Sequence, residues 1–176
     1  DRWLSGDTQL SSQEIRGLKL FEAKDKGNCA ACHPNKPSEE VPLPLFTDFT
    51  YDNLGTPKNP ANPFYSLPNE LNPNGYAFID LGLGKTVNDP AQNGKFRVPT
   101  LRNAALTPPY MHNGVFQTLY EVISFYNSRD VADWPPPEVS ENVNKEEMGN
   151  LEMTNLELED LLAFLNTLTD GWKDVD

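Results

Sequence analysis

Residues 29–33 read Cys-Ala-Ala-Cys-His, and these two cysteines are the only ones in the 176-residue chain. The spacing Cys-x-x-Cys-His is the attachment signature of c-type haem. Residues three apart on a helical turn share a face, so both thiols can form thioethers to one porphyrin while the next histidine ligates its iron. The motif therefore predicts one covalent haem c, attached at Cys29 and Cys32 and ligated by His33.

Two other kinds of site also use a Cys-x-x-Cys pair. A thioredoxin-like dithiol normally belongs to a βαβ pattern, whereas a capped helix is predicted before Cys29. A zinc site needs a second pair of ligands, and the chain has only one further histidine, His112, and no further cysteine. Haem attachment is therefore the best interpretation, and because c-type haem is attached after export, we expect a periplasmic or extracellular protein.

The composition restricts the partners of the chain. Its formal net charge of −12 disfavours binding to nucleic acid or to anionic membranes. No uncharged apolar run approaches the ~18 residues that a membrane span requires. The negative net charge instead predicts a redox protein partner that is basic at its docking surface. The chain begins at Asp1 without an initiator Met or an apolar targeting stretch, which is expected of a processed protein or of a fragment.

Three helices are predicted from one kind of N-terminal cap, a Ser or Thr followed three residues later by Glu. The pairs are Ser11 with Glu14, Thr118 with Glu121, and Thr154 with Glu157. We expect the first helix to end near Gly27, and leucines at helical spacing from Leu158 to Leu168 mark the last. The many prolines between residues 34 and 75 preclude a long helix there. The chain is thus predicted to be one mainly α domain over residues 1–176, with a long Pro-rich irregular region at 34–75.

The sixth coordination position of the iron decides what such a haem does. Spacing alone does not choose among the candidates, because a long loop can carry any of them over the haem. The candidates are Met111, His112, Tyr126, Met148 and Met153.

Two later segments carry a family resemblance. Residues 96–103 read Phe-Arg-Val-Pro-Thr-Leu-Arg-Asn, and residues 106–114 read Leu-Thr-Pro-Pro-Tyr-Met-His-Asn-Gly. Together with the helix from Thr118 to Tyr126, they resemble the C-terminal haem domain of bacterial dihaem cytochrome c peroxidases and MauG-type enzymes. With the haem motif and the last helix, the resemblance covers nearly the whole chain except its proline-rich middle.

The resemblance implies a class I cytochrome c-like fold, in which the first and last helices cross. Gly17 and Phe21 of the first helix would then contact Phe164 and Leu165 of the last. In the family's peroxidases a Met ligand stands at the position that matches Tyr126, and MauG-type members have Tyr there. The resemblance therefore makes Tyr126 the leading sixth ligand, and the alternatives are Met111 or a later methionine and an open or His112-bound iron.

Further site residues also follow from the resemblance. Arg97 and Arg102 fall in the segment that runs near the haem propionates in the family, and guanidinium groups bind carboxylates bidentately. The family also binds calcium between its two haem domains. Backbone carbonyls that match Thr107 and Pro109 contribute to that site, together with an Asn of the N-terminal domain.

The sequence leaves three functions open. The first is single-electron transfer through one haem, which is favoured because the chain has one haem motif and no clear distal acid–base group. The second is a peroxidase-like enzyme, or part of a dihaem one, that reacts with hydrogen peroxide. This reaction needs an open iron and a general base, for which His112 is the catalytic candidate. The third is a cytochrome subunit of a larger redox assembly. A second haem domain or subunit is an implied partner, because the family's peroxide-binding haem lies in the N-terminal domain.

Overall fold

The computed structural model describes residues 1–39 and 41–171, which form a helical framework joined by irregular segments. Its helices are α1 (Ser12–Glu22), α2 (Leu83–Val87), α3 (Leu119–Ser128) and α4 (Asn155–Asn166). Two short strands, β1 (Tyr51–Asp52) and β2 (Phe96–Arg97), pair antiparallel. Single 3₁₀ turns lie at Cys29–Ala31, Pro63–Ser66, Gly75–Ala77, Pro90–Gln92 and Ala104–Leu106. The prediction of a mainly helical chain with little sheet is confirmed.

The three predicted caps are present as reciprocal capping boxes at the starts of α1, α3 and α4. The prediction that the first helix ends near Gly27 is wrong, because α1 ends at Glu22. The chain turns back after α1 and packs Gly27 so closely on the Leu20 carbonyl that a Cβ would clash there. This return, which only a glycine permits, leads directly into Cys29.

The helices α1 and α4 cross at Gly17. A Cβ at this position would overlap the backbone oxygen of Asp160 and would lie 2.7 Å from the Cβ of Phe164. Phe21 is fully buried and meets Phe164 edge-on, with ring centres 5.2 Å apart. The main hydrophobic core surrounds this crossing and also contains Phe46, Ile123, Met153, Leu158, Leu161 and Leu165. The predicted contact between the first and last helices is therefore observed, and the class I label stays a prediction.

Residues 34–75 have little regular structure at their described positions, beyond β1, the turn Pro63–Ser66 and the first residue of the turn Gly75–Ala77. Lys58 links this region to the residues that follow it, because its ammonium group lies 4.6 Å from the ring centres of both Tyr65 and Tyr76. It also donates to the Phe78 carbonyl at 2.9 Å. In the described part of the chain, no helix combines the length and the apolar character needed to cross a membrane.

A buried carboxylate at the helix crossing predicts a pH-dependent stability. Asp160 accepts hydrogen bonds from Arg16 at 2.6 and 2.8 Å, and the Arg16 guanidinium holds the pKa of this carboxyl below its usual value. Such a group stabilises the fold above the pKa of the unfolded chain, about 3.9, and this contribution is lost as the pH falls through the lower folded pKa. We expect Arg16→Gln to lower the melting temperature clearly at pH 7 and much less at pH 3, measured by circular dichroism.

The matched control is Lys19→Gln, which removes one positive charge from the same helix. It should change the melting temperature little at either pH. An Arg16→Gln effect of equal size at pH 7 and pH 3 would contradict the assigned ion pair.

Candidate haem site

The predicted haem-binding residues lie in one tight turn after α1. Residues Cys29–Ala31 form a 3₁₀ turn, and the backbone N–H of His33 donates to the Cys29 carbonyl at 2.9 Å. Both cysteines are free and partly buried. The motif thus adopts the helical-turn geometry that its spacing predicts.

The imidazole of His33 lies against backbone groups of Phe46 and Pro99, of which the Phe46 carbonyl is the direct hydrogen-bond partner. Its Nδ1 lies 2.7 Å from the carbonyl oxygen of Phe46. A carbonyl can only accept, so Nδ1 carries the proton and the lone pair of Nε2 remains for a metal. Burial lowers the pKa of His33, which keeps the ring in its neutral, ligating form.

Sequence reasoning missed Phe46, which acts through its backbone. Phe46 has a φ of +53°, a region that is costly for a bulky side chain and that persists only where the surroundings enforce it. The next residue, Thr47, donates from its buried hydroxyl to the Val98 carbonyl at 2.7 Å. Asp48 then donates from its N–H to the Cys32 carbonyl at 3.0 Å. This segment therefore holds the haem motif at two points.

The thiol environment argues against a redox-active dithiol. Burial raises the pKa of Cys29 to about 12. Burial, followed by the charges of Glu147, Asp48 and Asp52, raises the pKa of Cys32 to about 11. Redox-active cysteines have lowered thiol pKa values instead. Across residues 1–39 and 41–171, no group of three or more His, Cys, Asp or Glu side chains is arranged to hold a metal ion, so the zinc alternative gains no support.

The two leading candidates for the sixth ligand lie side by side. The Tyr126 hydroxyl donates to the sulfur of Met111 at 3.7 Å. Burial raises the pKa of Tyr126 above its usual value, and the charges of Cys29 and Cys32 raise it further, so the hydroxyl lies within electrostatic reach of the haem motif. The other methionines lie elsewhere, with Met153 in the core at the helix crossing and Met148 beside an open surface pocket.

His112 occupies a different environment. Its ring stacks on Phe96 of β2 with ring centres 3.6 Å apart, and it borders a water-sized pocket with Asp80 and Glu138. The residue as a whole is exposed to solvent. Burial on the packed side lowers its pKa to about 4, although Asp80 acts in the opposite direction. His112 is therefore neutral at pH 7 and able to accept a proton, but it packs against β2 and its role as a catalytic base stays a prediction.

The two predicted propionate-binding arginines have different partners. The exposed Arg97 stacks over the ring of Phe49 at 4.6 Å. Arg102 donates to the two carboxylate oxygens of Asp1 at 2.7 and 2.8 Å and to the Pro44 carbonyl at 2.8 Å. Arg102 thus already binds a carboxylate in the bidentate manner that a propionate would use. Propionate binding stays a prediction for both residues.

The residues of the predicted calcium site lie on the surface. Thr107 and Pro109 are exposed and follow the turn Ala104–Leu106. The N–H of Thr107 donates to the Ala104 carbonyl at 3.3 Å, which closes this turn. Calcium takes six to eight oxygen ligands, so two carbonyls need further groups from outside this segment, and the calcium site stays a prediction.

The donor set as a whole fits a c-type haem. Two free thiols and a neutral imidazole come from one turn, and the phenol of Tyr126, beside the thioether of Met111, lies within electrostatic reach of that turn. Each of these groups is a known haem attachment or axial ligand type. The residues present are therefore chemically sufficient to hold the cofactor.

Comparisons with known proteins agree with this chemistry, although no protein-family model matches the chain. The sequence is 35% identical to the methylamine utilization protein MauG of Paracoccus denitrificans, over 97% of this chain and 46% of MauG. It is 39% identical to the cytochrome-c peroxidase IdrP2 of Denitromonas iodatirespirans, over 72% of this chain and 35% of that protein. The crystal structure of the dihaem peroxidase BthA from Burkholderia thailandensis matches with a TM-score of 0.73 and 35% identity, over 97% of this chain and 45% of BthA. The chain thus spans less than half the length of each of these proteins.

Proposed function

The chain is a homologue of MauG and the bacterial cytochrome c peroxidases over part of their length, and from this premise we propose that it is the C-terminal haem domain of a dihaem peroxidase or MauG-type enzyme. Its role is to pass single electrons, while hydrogen peroxide reacts at a second haem domain. The relatives support a haem peroxidase-like protein. They therefore favour a part of such an enzyme over the free-standing electron carrier that the sequence alone favoured.

The observation that carries the proposal is the placement of axial donors. The Nδ1–H of His33 donates to the Phe46 carbonyl, which leaves Nε2 for iron. The hydroxyl of Tyr126 interacts electrostatically with Cys29 and Cys32 of the motif and lies 3.7 Å from the sulfur of Met111. When bound, the haem supplies a one-electron redox centre. A second axial donor keeps peroxide away from the iron, so these side chains suit electron transfer better than peroxide cleavage.

The peroxidase-like reaction within this domain is the weaker candidate. It requires an open iron position and His112 as the base. His112 stacks on Phe96, while the hydroxyl of Tyr126 and the sulfur of Met111, two groups able to ligate iron, lie 3.7 Å apart elsewhere. Peroxide can react at a separate haem domain whether the iron of this domain is open or carries a sixth ligand.

The proposed partners follow from charge and from the surface. A second haem domain is the proposed neighbour, with calcium held between the domains by Thr107 and Pro109. The net charge of −12 supports a basic redox partner. Asp48, Asp52 and Glu147, whose charges act on Cys32, place part of this negative charge beside the haem motif. We assign the protein to the periplasm or the cell exterior, where c-type haem is attached.

Addition of peroxide to the haem-loaded chain tests the proposed function. We expect a low-spin ferric absorption spectrum that equimolar hydrogen peroxide leaves unchanged, because both axial positions are occupied. The measurement is stopped-flow absorbance in the Soret region, with a known haem peroxidase as the positive control. A high-spin spectrum and rapid peroxide consumption by this chain alone would place peroxide cleavage in this domain and overturn the proposal.

A further inference from the structure

A buried arginine lies one helical turn after Tyr126. Arg129 caps the C-terminal end of α3 and is 8% exposed. A buried guanidinium must satisfy its N–H donors within the protein. Arg129 forms two hydrogen bonds to the Asp130 carboxylate, at 2.9 and 2.8 Å. It also donates to three backbone carbonyls of two distant segments, those of Leu54 at 2.9 Å, Asn144 at 2.6 Å and Met148 at 3.2 Å.

The segment 144–149, which Arg129 holds, also contacts the backbone of Tyr126. The N–H of Gly149 donates to the Tyr126 carbonyl at 2.8 Å, and the N–H of Asp130 donates to the Gly149 carbonyl at 2.9 Å. A Cβ at Gly149 would overlap the Asp130 carboxylate and would lie 2.7 Å from the Arg129 guanidinium. The ion pair is therefore packed directly against the segment that binds the Tyr126 backbone.

The same arginine contributes to the electrostatic environment of the Tyr126 hydroxyl. Burial raises the pKa of Tyr126, and Asp52 also raises it, whereas Arg129 lowers it. Asn144, whose backbone carbonyl accepts from Arg129, donates from its side chain to Asp52. One connected hydrogen-bond network thus links the guanidinium of Arg129, the segment 144–149 and the carboxylate of Asp52.

We propose that Arg129 is the positioning residue for the sixth iron ligand. It ties Leu54 and the segment 144–149 to the last turn of α3, and so keeps the Tyr126 oxygen directed at the haem. The inference rests on the proposed assignment of Tyr126 as that ligand. Groups that hold a metal ligand in place typically contribute about 10–100-fold to metal affinity. Loss of Arg129 therefore weakens the bond between Tyr126 and iron without removing the ligand.

Competition by added imidazole measures this effect in the haem-loaded chain. A weakened Tyr126 bond leaves more iron available, so imidazole binds more tightly in proportion. We expect Arg129→Gln to bind imidazole about tenfold more tightly than the unmodified chain, read from the shift of the Soret band. Arg129→Lys keeps the charge but lacks the planar fork, so its affinity should lie between those two values.

The control is Arg16→Gln, which breaks a different arginine–aspartate ion pair, that with the buried carboxylate of Asp160 at the helix crossing. It should lower the melting temperature and leave the imidazole affinity unchanged.

If Arg129→Gln also lowers only the melting temperature, the role of Arg129 is purely structural and the proposal is overturned. If Arg129→Gln does not fold, the imidazole affinity of Arg129→Lys is compared with that of the unmodified chain. Tighter binding supports the proposal, and unchanged binding overturns it. If Tyr126→Phe itself leaves the imidazole affinity unchanged, the ligand assignment fails first, and the inference fails with it.

Discussion

Replacement of both Cys29 and Cys32 by Ala is expected to abolish covalent haem in this protein. These are the only cysteines of the chain, and they lie in the turn that precedes His33. Without thioethers, only coordination bonds and packing hold the cofactor, and these do not survive denaturation. A haem stain of a denaturing gel should therefore be positive for the unmodified chain and negative for the double variant.

The single variants provide the internal control for this experiment. Cys29→Ala and Cys32→Ala each retain one thiol, so each should keep a stained band with an absorption maximum shifted from that of the unmodified chain. The site assignment would be wrong if acid-acetone extraction removed the colour from the unmodified protein, because a covalent haem stays with the polypeptide.

Replacement of Tyr126 by Phe is expected to open the iron to added ligands and to raise its reduction potential. A coordinated tyrosinate stabilises the ferric state through its negative charge. Axial ligands tune haem potentials over about 0.8 V, so we expect an increase on the order of 100 mV. The ring of Phe fills the space beside Phe125, whose centre lies 6.1 Å from that of Tyr126, so the fold should be kept. The measurements are ferric absorption spectra and a redox titration.

Two further variants make this result specific. Tyr120→Phe removes a hydroxyl from the same helix at an exposed position and should change neither the spectrum nor the potential. Met111→Leu tests the neighbouring candidate, whose sulfur accepts from the Tyr126 hydroxyl. An unchanged spectrum and potential in Tyr126→Phe, with loss of the low-spin spectrum in Met111→Leu, would assign the methionine and indicate an ordinary His/Met electron-transfer haem.

The features that the sequence determined by itself depend on residues close together in the chain. The haem motif spans five positions, and each capping box joins residues three apart, so local geometry decides both. The helix face that carries Gly17 and Phe21 also follows from sequence spacing, because residues four apart on a helix lie on the same side. These patterns were enough to predict the helical framework, a helix face open to close packing at Gly17, and the covalent cofactor, whereas the crossing of the first and last helices was implied by the family resemblance.

The tertiary structure alone decided how the haem motif and Tyr126 are held. The bond from His33 to Phe46 joins positions 13 apart, and the bond from Arg129 to Leu54 joins positions 75 apart. Every residue has a backbone carbonyl, so no residue type marks which one will accept such a bond. The early end of α1 has the same cause, because the chain must turn for Gly27 to pack on Leu20. Only the packing of distant segments selects these partners, and local periodicity carries no information about it.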